Sequence, residues 1–137
     1  MVCSQGTSHI IVSGNFLTTE NEKASKKVER YSIKKDSWKE LPELTVGRAF
    51  HGTCCLQNVV YVFAGMSGSD NKALNSIEKL DLELVKSNKR QGMPAPLWTT
   101  IVVPELTPTF QIGATVLNNS QILLFGGAVG EEPQNTL

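Results

Sequence analysis

The sequence is poor in the residues that build metal and redox centres. It contains only 3 cysteines and 2 histidines in 137 residues. No CxxC pair occurs, and Cys54 and Cys55 are adjacent, so in a strand their side chains point to opposite faces. A four-ligand zinc site therefore lacks a ligand set at any recognised spacing. We expect no metal, no cofactor and a reducing compartment, with the cysteines packed as small residues in strands.

The chain also lacks a charge bias and a long apolar run. Its 13 Lys and Arg residues balance 13 Asp and Glu residues, so no long-range field favours nucleic acid or an anionic membrane. Runs such as Val59 to Ala64 are far shorter than the roughly 20 residues of a membrane helix. Met1 to Gly6 lack the pattern of a secretory signal. We expect a cytoplasmic or nuclear protein without a membrane partner. We interpret the lysine-rich residues 23–39 as a solvated outer face rather than a patch for an acidic partner or nucleic acid.

What the sequence does contain is a series of short strand patterns. Apolar runs rich in Val, Ile, Tyr and Phe are bounded by Gly, Asn, Pro or Ser, and no segment of a dozen residues keeps a helical period. Two hairpins stand out because Asn tolerates the positive φ of tight turns. One joins residues 50–56 to 59–63, and the other joins residues 113–117 to 121–125. The sequence therefore predicts antiparallel β-structure.

These strand patterns repeat along the chain. Apolar strands end at Gly14, Gly65 and Gly127, with intervals of 51 and 62 residues. Between the glycines, Val28 to Ile33 aligns with Ile77 to Leu82, and each segment is followed by a tryptophan and then by Pro-Glu-Leu. Self-similarity at this spacing is the signature of a repeat architecture.

The repeat resembles the Kelch repeat, a four-stranded propeller blade of about 50 residues. Residues 28–65 match the Kelch pattern almost continuously. The glycine pair of the pattern is complete only at Gly126-Gly127 and is reduced to Ala64-Gly65 and Ser13-Gly14. Leu80 replaces a tyrosine, and Thr109 or Phe110 stands where the arginine would be. The resemblance assigns structural motif roles to Gly14, Tyr31, Trp38, Arg48, His51, Gly52, Tyr61, Gly65, Trp98, Gly113, Gly126 and Gly127.

The resemblance implies an all-β, Kelch-type β-propeller that is partial. One complete four-stranded blade at residues 48–103 is flanked by incomplete blades at residues 1–41 and 110–127, and residues 128–137 are a truncated loop. Propellers have about four to eight blades and use closure to remove open edges. We therefore expect a piece of a longer propeller, with a ring completed by other copies and an open stack of blades as alternatives.

The resemblance also implies a protein–protein interaction module or scaffold without catalysis. The expected partner surface consists of the loops at residues 15–25, 42–47, 66–75 and 104–109, because loops on a rigid scaffold carry binding residues. The residues 83–96 are predicted to be an inserted loop on the opposite face. Trp38 should pack the first blade on the second, and Trp98 the second on the third. Candidate partner-binding residues are Arg48, Ser67, Ser69, Asp70 and Asn71, and missing blades or other copies should cover the exposed blade faces.

Two alternatives to this interpretation remain. The family is similar to copper-dependent sugar oxidases and to isomerases that act on small molecules, but copper needs clustered His and Tyr ligands. The two tyrosines, Tyr31 and Tyr61, occupy strand motif positions, and a pairing of His51 with Asp70 is unconstrained by spacing. No catalytic and no metal-binding residue is therefore predicted. The second alternative is a blade subunit that assembles with copies of itself.

Overall fold

The computed structural model describes residues 1–15, 24–68 and 72–129, together with the backbone of residues 132–133. Sheet 1 is four-stranded and antiparallel, and its strands follow one another in chain order. They are β1 (Val2–Gln5), β2 (His9–Ser13), β3 (Val28–Ser32) and β4 (Ser37–Leu41). The later strands are β5 (Arg48–Ala49), β6 (Gly52–Leu56), β7 (Val59–Phe63), β8 (Met66–Ser67), β9 (Ser76–Asp81), β10 (Thr99–Val102), β11 (Phe110–Asn118), β12 (Gln121–Val129) and β13 (Glu132–Pro133).

Two more large sheets follow sheet 1. Sheet 2 has the order β10-β9-β7-β6, and sheet 3 has the order β11-β12-β13. Strands β5 and β8 form a separate small pairing; β5 precedes β6 in sequence, and β8 lies between β7 and β9. Every pairing is antiparallel. Both predicted hairpins are confirmed as β6–β7 and β11–β12, and Gln57 and Asn58 adopt φ values of 50° and 62°, as a two-residue type I′ turn requires.

Sheets 1 and 2 stack face to face and enclose the core. Their innermost strands β1 and β6 are in contact, and β11 of sheet 3 contacts β6 on its other side. Alternation along each strand sends one set of side chains into the interface between the sheets. The buried core cluster consists of Ile11, Val28, Leu41, Leu44, Val60, Val62, Leu80, Leu82 and Trp98. This arrangement is a partial all-β propeller, as predicted.

The number of complete blades differs from the prediction. The strand β1 gives sheet 1 a fourth strand, so the described chain has two four-stranded sheets rather than one. The short segment Val2–Gln5 carries only one residue with a strong strand preference, which is why its pattern is weak. Strand β1 pairs antiparallel with β2, with Val2 opposite Val12. The Met1 amino group adds a hydrogen bond to the Ser13 carbonyl at 2.8 Å.

The predicted loop at residues 83–96 begins with a helix instead. Helix α1 (Leu82–Arg90) starts at Asp81, whose carboxylate accepts hydrogen bonds from the backbone N–H groups of Glu83 and Leu84. Leu82 is buried and Val85 packs against the core, so one side of the helix is apolar. A helix of 9 residues is too short to give a helical period over a dozen positions, so the cap at Asp81 was the available signal.

The strand pairing in sheets 1 and 2 shows that the predicted alignment of Gly14 with Gly65 is wrong by one residue. Gly14 donates its N–H to Lys27 as Ala64 donates to Ser76, so Gly14 is the counterpart of Ala64 rather than of Gly65. Gly14, Ala64 and Gly126 all adopt positive φ, at 59°, 54° and 70°. A side chain at Gly14 has no room, because a Cβ there would lie 2.2 Å from the Arg48 carbonyl oxygen.

Candidate interaction surface

Arg48, in β5, forms a buried ion pair with Glu78 of sheet 2. Its Nη2 atom donates to Glu78 at 2.5 Å, and its Nη1 atom donates to the carbonyls of Ala64 at 2.8 Å and Ser76 at 3.2 Å. Both side chains of the ion pair are fully buried. Burial lowers the pKa of Arg48, while the charge of Glu78 acts in the opposite direction. The prediction that Arg48 contacts a partner is therefore wrong, because its guanidinium is enclosed and saturated by the blade itself.

The Glu78 carboxylate joins the loop at residues 42–47 to sheet 2. Besides Arg48, it accepts hydrogen bonds from the backbone N–H groups of Thr45 at 2.7 Å and Val46 at 3.1 Å. This role was missed in the sequence, although a glutamate recurs at the same place in the repeat, at Glu29 and Glu78. Removing one partner of such a buried pair leaves an unpaired charge, which is strongly destabilising.

His51 connects the two stacked sheets. It is fully buried, and its Nε2 atom lies 2.9 Å from the Ser13 hydroxyl of sheet 1. Burial lowers the pKa of His51 to about 3, with smaller contributions from the N-terminus and Arg48. The ring is therefore neutral at physiological pH. Asp70, which the sequence analysis considered as a partner of His51, lies outside the described residues. The side-chain hydrogen bond that His51 makes is with Ser13.

The two tryptophans have opposite environments. Trp98 is 5% exposed, and its indole Nε1 donates to the Pro42 carbonyl at 2.8 Å. Trp38 is 57% exposed and packs on Tyr31 with a ring-centroid separation of 5.1 Å. Trp98 therefore binds the second sheet to the first, not to the third, and the predicted inter-blade burial of Trp38 is wrong. The physical reason is direction: the tryptophan faces the preceding sheet, and no sheet precedes sheet 1 among the described residues.

Backbone contacts join parts of the predicted loop surface. The Leu44 N–H donates to Lys26 at 2.9 Å, and an isolated bridge joins Leu74 to Thr109. The first contact ties the loop at residues 42–47 to the residue after the loop at residues 15–25, and the second ties the loop at residues 66–75 to the loop at residues 104–109. Exposed residues there include Glu43, Thr45, Lys72, Glu105, Thr107 and Pro108.

The remaining candidate partner-binding residues do not form an accessible set in the described structure. Ser67 is buried, so the prediction that it contacts a partner is wrong for the same reason as for Arg48. Ser69, Asp70 and Asn71 lie outside the described residues.

The other motif residues occupy packing positions. Tyr61 stacks on Phe63 with ring centroids 6.2 Å apart. A Cβ at Gly113 would lie 2.4 Å from the ring of Phe125, so the aromatic side chain uses the space that the glycine leaves. A Cβ at Gly52 would meet Ala114 at 3.1 Å, which keeps β6 and β11 close.

Within residues 1–15, 24–68 and 72–129, no group of three His, Cys, Asp or Glu side chains is placed to hold a metal ion. In the same part of the chain, no helix has the length and apolar character needed to cross a membrane.

The stacked antiparallel sheets define the class, a partial propeller built from four-stranded blades. Residues 47–91 match the family model described as Kelch motif, a segment that runs from β5 through α1 and covers about a third of the chain. This match identifies a Kelch motif within residues 47–91 and supports the resemblance to the Kelch repeat. No curated protein matches the sequence.

Proposed function

We propose that this chain is a protein-interaction module or scaffold without catalysis, and that one contact surface is the open face of sheet 1. This face is formed by the side chains of β1 to β4 that point away from sheet 2. Alternation along the strands places Ile10, Val12, Glu29, Tyr31 and Trp38 on it. The Kelch motif supports the general function, and the exposure of Trp38 supports the location.

The internal repeat indicates what kind of surface covers this face. The ladder pairs Glu29 with Val12 in sheet 1 as it pairs Glu78 with Val62 in sheet 2. By the same register, the counterparts of Ile10, Tyr31 and Trp38 are Val60, Leu80 and Trp98. All five counterparts in sheet 2 are buried. Four of them share the core cluster with residues of sheet 1, and Glu78 is covered by Arg48 and the loop at residues 42–47.

The chemistry expected of a partner follows from this cover. In sheet 1 the covering groups are aliphatic side chains, including Ile11, Val28 and Leu41, together with the Pro42 carbonyl that receives the indole N–H. A partner for the open face therefore presents an aliphatic sheet face with a carbonyl near Trp38. Such a face fits a further blade of a longer propeller or of another polypeptide. The exposed loop residues on the side of residues 42–47 and 104–109 supply a second protein contact, in a cytoplasmic or nuclear setting.

Site-specific photo-crosslinking in cells tests this function. A benzophenone amino acid replaces Trp38 in one variant and Ile33 in a matched control, since both side chains are more than half exposed, at 57% and 52%. We expect a discrete crosslinked protein product from position 38 that position 33 does not give. Equal crosslinking from both positions, or none from position 38, would contradict the proposal.

A further inference from the structure

Strand pairing in sheet 1 divides the charged side chains of β3 and β4 between two faces. Arg30 lies opposite Lys39, and the neighbouring residues Glu29 and Glu40 lie opposite each other. Because alternation turns successive side chains to opposite faces, the two glutamates lie on the open face of sheet 1 and the two cations lie on the face toward sheet 2. Each face therefore carries a pair of like charges in direct opposition, which is destabilising.

The glutamate pair has a counter-charge, whereas the cation pair gains further positive charge. Lys27 Nζ lies 2.9 Å from the carboxylate of Glu29 and 3.5 Å from that of Glu40. On the other face, neither Arg30 nor Lys39 forms an ion pair with a carboxylate among the described residues. The pKa of Lys39 is lowered by partial burial and by the charges of Lys89 and Arg30. The cations of sheet 1 thus lie close to a cation of α1 instead of an acid.

Helix α1 brings three cations to this face of sheet 1. The spacing of Leu82, Val85, Lys86 and Lys89 places these four side chains on one side of the helix. Leu82 is buried and Val85 packs against the core, so this side is the one that contacts the sheets. Lys89 and Arg90 lie in the last turn, where the helix dipole favours a cation. The dipole does not account for the two cations that sheet 1 places beside them.

These side chains line a cleft between sheet 1 and α1. The cleft has a volume of about 320 Å³, and its lining consists of the five cations named above together with Leu82 and Val85. Among the described residues, no carboxylate lines it. Glu83 lies 3.6 Å from Lys86, but both side chains are more than half exposed, so this ion pair offsets little of the charge. Sequences break a rule of charge pairing chiefly at functional sites, and this cleft concentrates positive charge without compensation.

The number and arrangement of the cations indicate which anion fits. One phosphate monoester carries a charge of about −1.5 to −2 at pH 7, which leaves most of the positive charge in the cleft uncompensated. A nucleic acid spreads its charges along a strand, and proteins that bind single strands add aromatic side chains on which the bases stack. Here the cations converge on one cleft, and the Tyr31–Trp38 pair lies on the opposite face of sheet 1. A compact anion with several phosphate groups fits better than either.

We propose that the cleft between sheet 1 and α1 binds a soluble small molecule that carries several phosphate groups. The guanidinium groups of Arg30 and Arg90 hold phosphate oxygens in pairs, and the three lysines act as point charges. Leu82 and Val85 give the ligand an apolar wall. The cleft and the open face lie on opposite sides of sheet 1, so a negative result here leaves the crosslinking prediction at Trp38 standing.

Isothermal titration calorimetry of the full chain with inositol hexakisphosphate tests the proposal. The titration is made at physiological ionic strength, where attraction between distant exposed charges is largely screened. We expect saturable binding of one molecule per chain, and binding of inorganic phosphate that is weaker by at least about tenfold, since it forms fewer charge-assisted hydrogen bonds. The absence of saturable binding, or equal affinity for the two anions, would overturn the proposal.

Two double variants with the same change in net charge separate the cleft from general attraction. Lys39→Gln with Lys89→Gln removes two cations of the cleft, and Lys26→Gln with Lys27→Gln removes two exposed cations outside it. We expect the cleft variant to lose at least about tenfold in affinity for inositol hexakisphosphate and the control to change within about twofold. Because the cleft cations repel one another, the cleft variant should melt no lower than the wild-type chain. Equal weakening by both variants, or a clearly lower melting temperature of the cleft variant, would overturn the proposal.

Acylation of lysines in the wild-type chain locates the ligand without any substitution. Inositol hexakisphosphate should slow the acylation of Lys39, Lys86 and Lys89 and leave that of Lys26 and Lys27 unchanged, as mass spectrometry of the digested chain would show. Protection of Lys26 and Lys27 in place of the cleft lysines would overturn the site. Tighter binding of a single-stranded oligonucleotide, or of vesicles that contain phosphatidylinositol bisphosphate, would overturn the assignment to a compact soluble molecule.

Discussion

The two tryptophans provide a matched pair for testing how the sheets stack. Complete burial of a tryptophan removes about 150 to 250 Å² from water, which at about 25 cal/mol per Å² corresponds to roughly 4 to 6 kcal/mol. Trp98 is 5% exposed and also donates a hydrogen bond to Pro42, whereas Trp38 is 57% exposed. We therefore expect Trp98→Ala to lower the free energy of unfolding by about 3 to 5 kcal/mol.

The same substitution at the exposed tryptophan should have a much smaller effect. Less than half of the Trp38 side chain is covered, chiefly by Tyr31, so Trp38→Ala should cost about 1 kcal/mol, the usual scale of a partly exposed contact. Urea denaturation of the two variants and the wild-type chain measures both values. A further variant, Trp98→Phe, keeps an aromatic ring and removes the indole N–H. Equal losses for the two alanine variants would refute the assigned stacking direction.

Three further predictions concern the buried polar groups and the helix. Arg48→Met should destabilise the chain by about 3 to 5 kcal/mol, because it leaves the Glu78 carboxylate buried without its cation; if the double variant with Glu78→Gln is no more stable than the single variant in urea melts, the charge explanation fails. Lowering the pH from 7 to 5 should cost about 2 kcal/mol of stability through His51, because its folded pKa of about 3 lies below the unfolded value of 6.5 and the unfolded chain takes up the proton first. This contribution is complete above pH 6.5 and is lost as the pH falls toward 3, and a His51→Gln variant that keeps the full pH dependence would contradict it. Asp81→Ala should lower the free energy of unfolding by about 1 kcal/mol, because it removes the cap of α1. Unchanged helix content in circular dichroism and unchanged stability in urea melts would contradict this prediction.

The sequence predicted the elements whose signals are local. The hairpin turn at Gln57-Asn58 and the aligned strands from Val28 and Ile77 carry their own turn chemistry and alternation, so they were found without tertiary information. Strand β1 was missed because Val2–Gln5 becomes a strand only by pairing with β2. Helix α1 was missed because 9 residues cannot show a clear helical period.

The candidate site was predicted less well than the fold, because burial depends on which sheets stack. From the sequence, Arg48 was predicted to bind a partner and Trp38 to pack between two blades. In the structure the arginine is enclosed by Glu78 and the ends of β7 and β9, and the tryptophan lies on the uncovered side of sheet 1. The direction in which the repeat packs is a property of the assembled sheets that no single motif encodes.

The central claim is that the open face of sheet 1 corresponds to the face of sheet 2 that sheet 1 covers. Hydroxyl-radical footprinting with mass spectrometry, on the purified chain and in cells, tests this claim most directly. In the purified chain Trp38 should oxidise much faster than Trp98, as their exposures of 57% and 5% require. In cells Trp38 should become protected while Trp98 stays unchanged. Equal oxidation of the two residues in the purified chain would contradict the stacking of sheet 1 on sheet 2, and unchanged oxidation of Trp38 in cells would contradict its role as a contact surface.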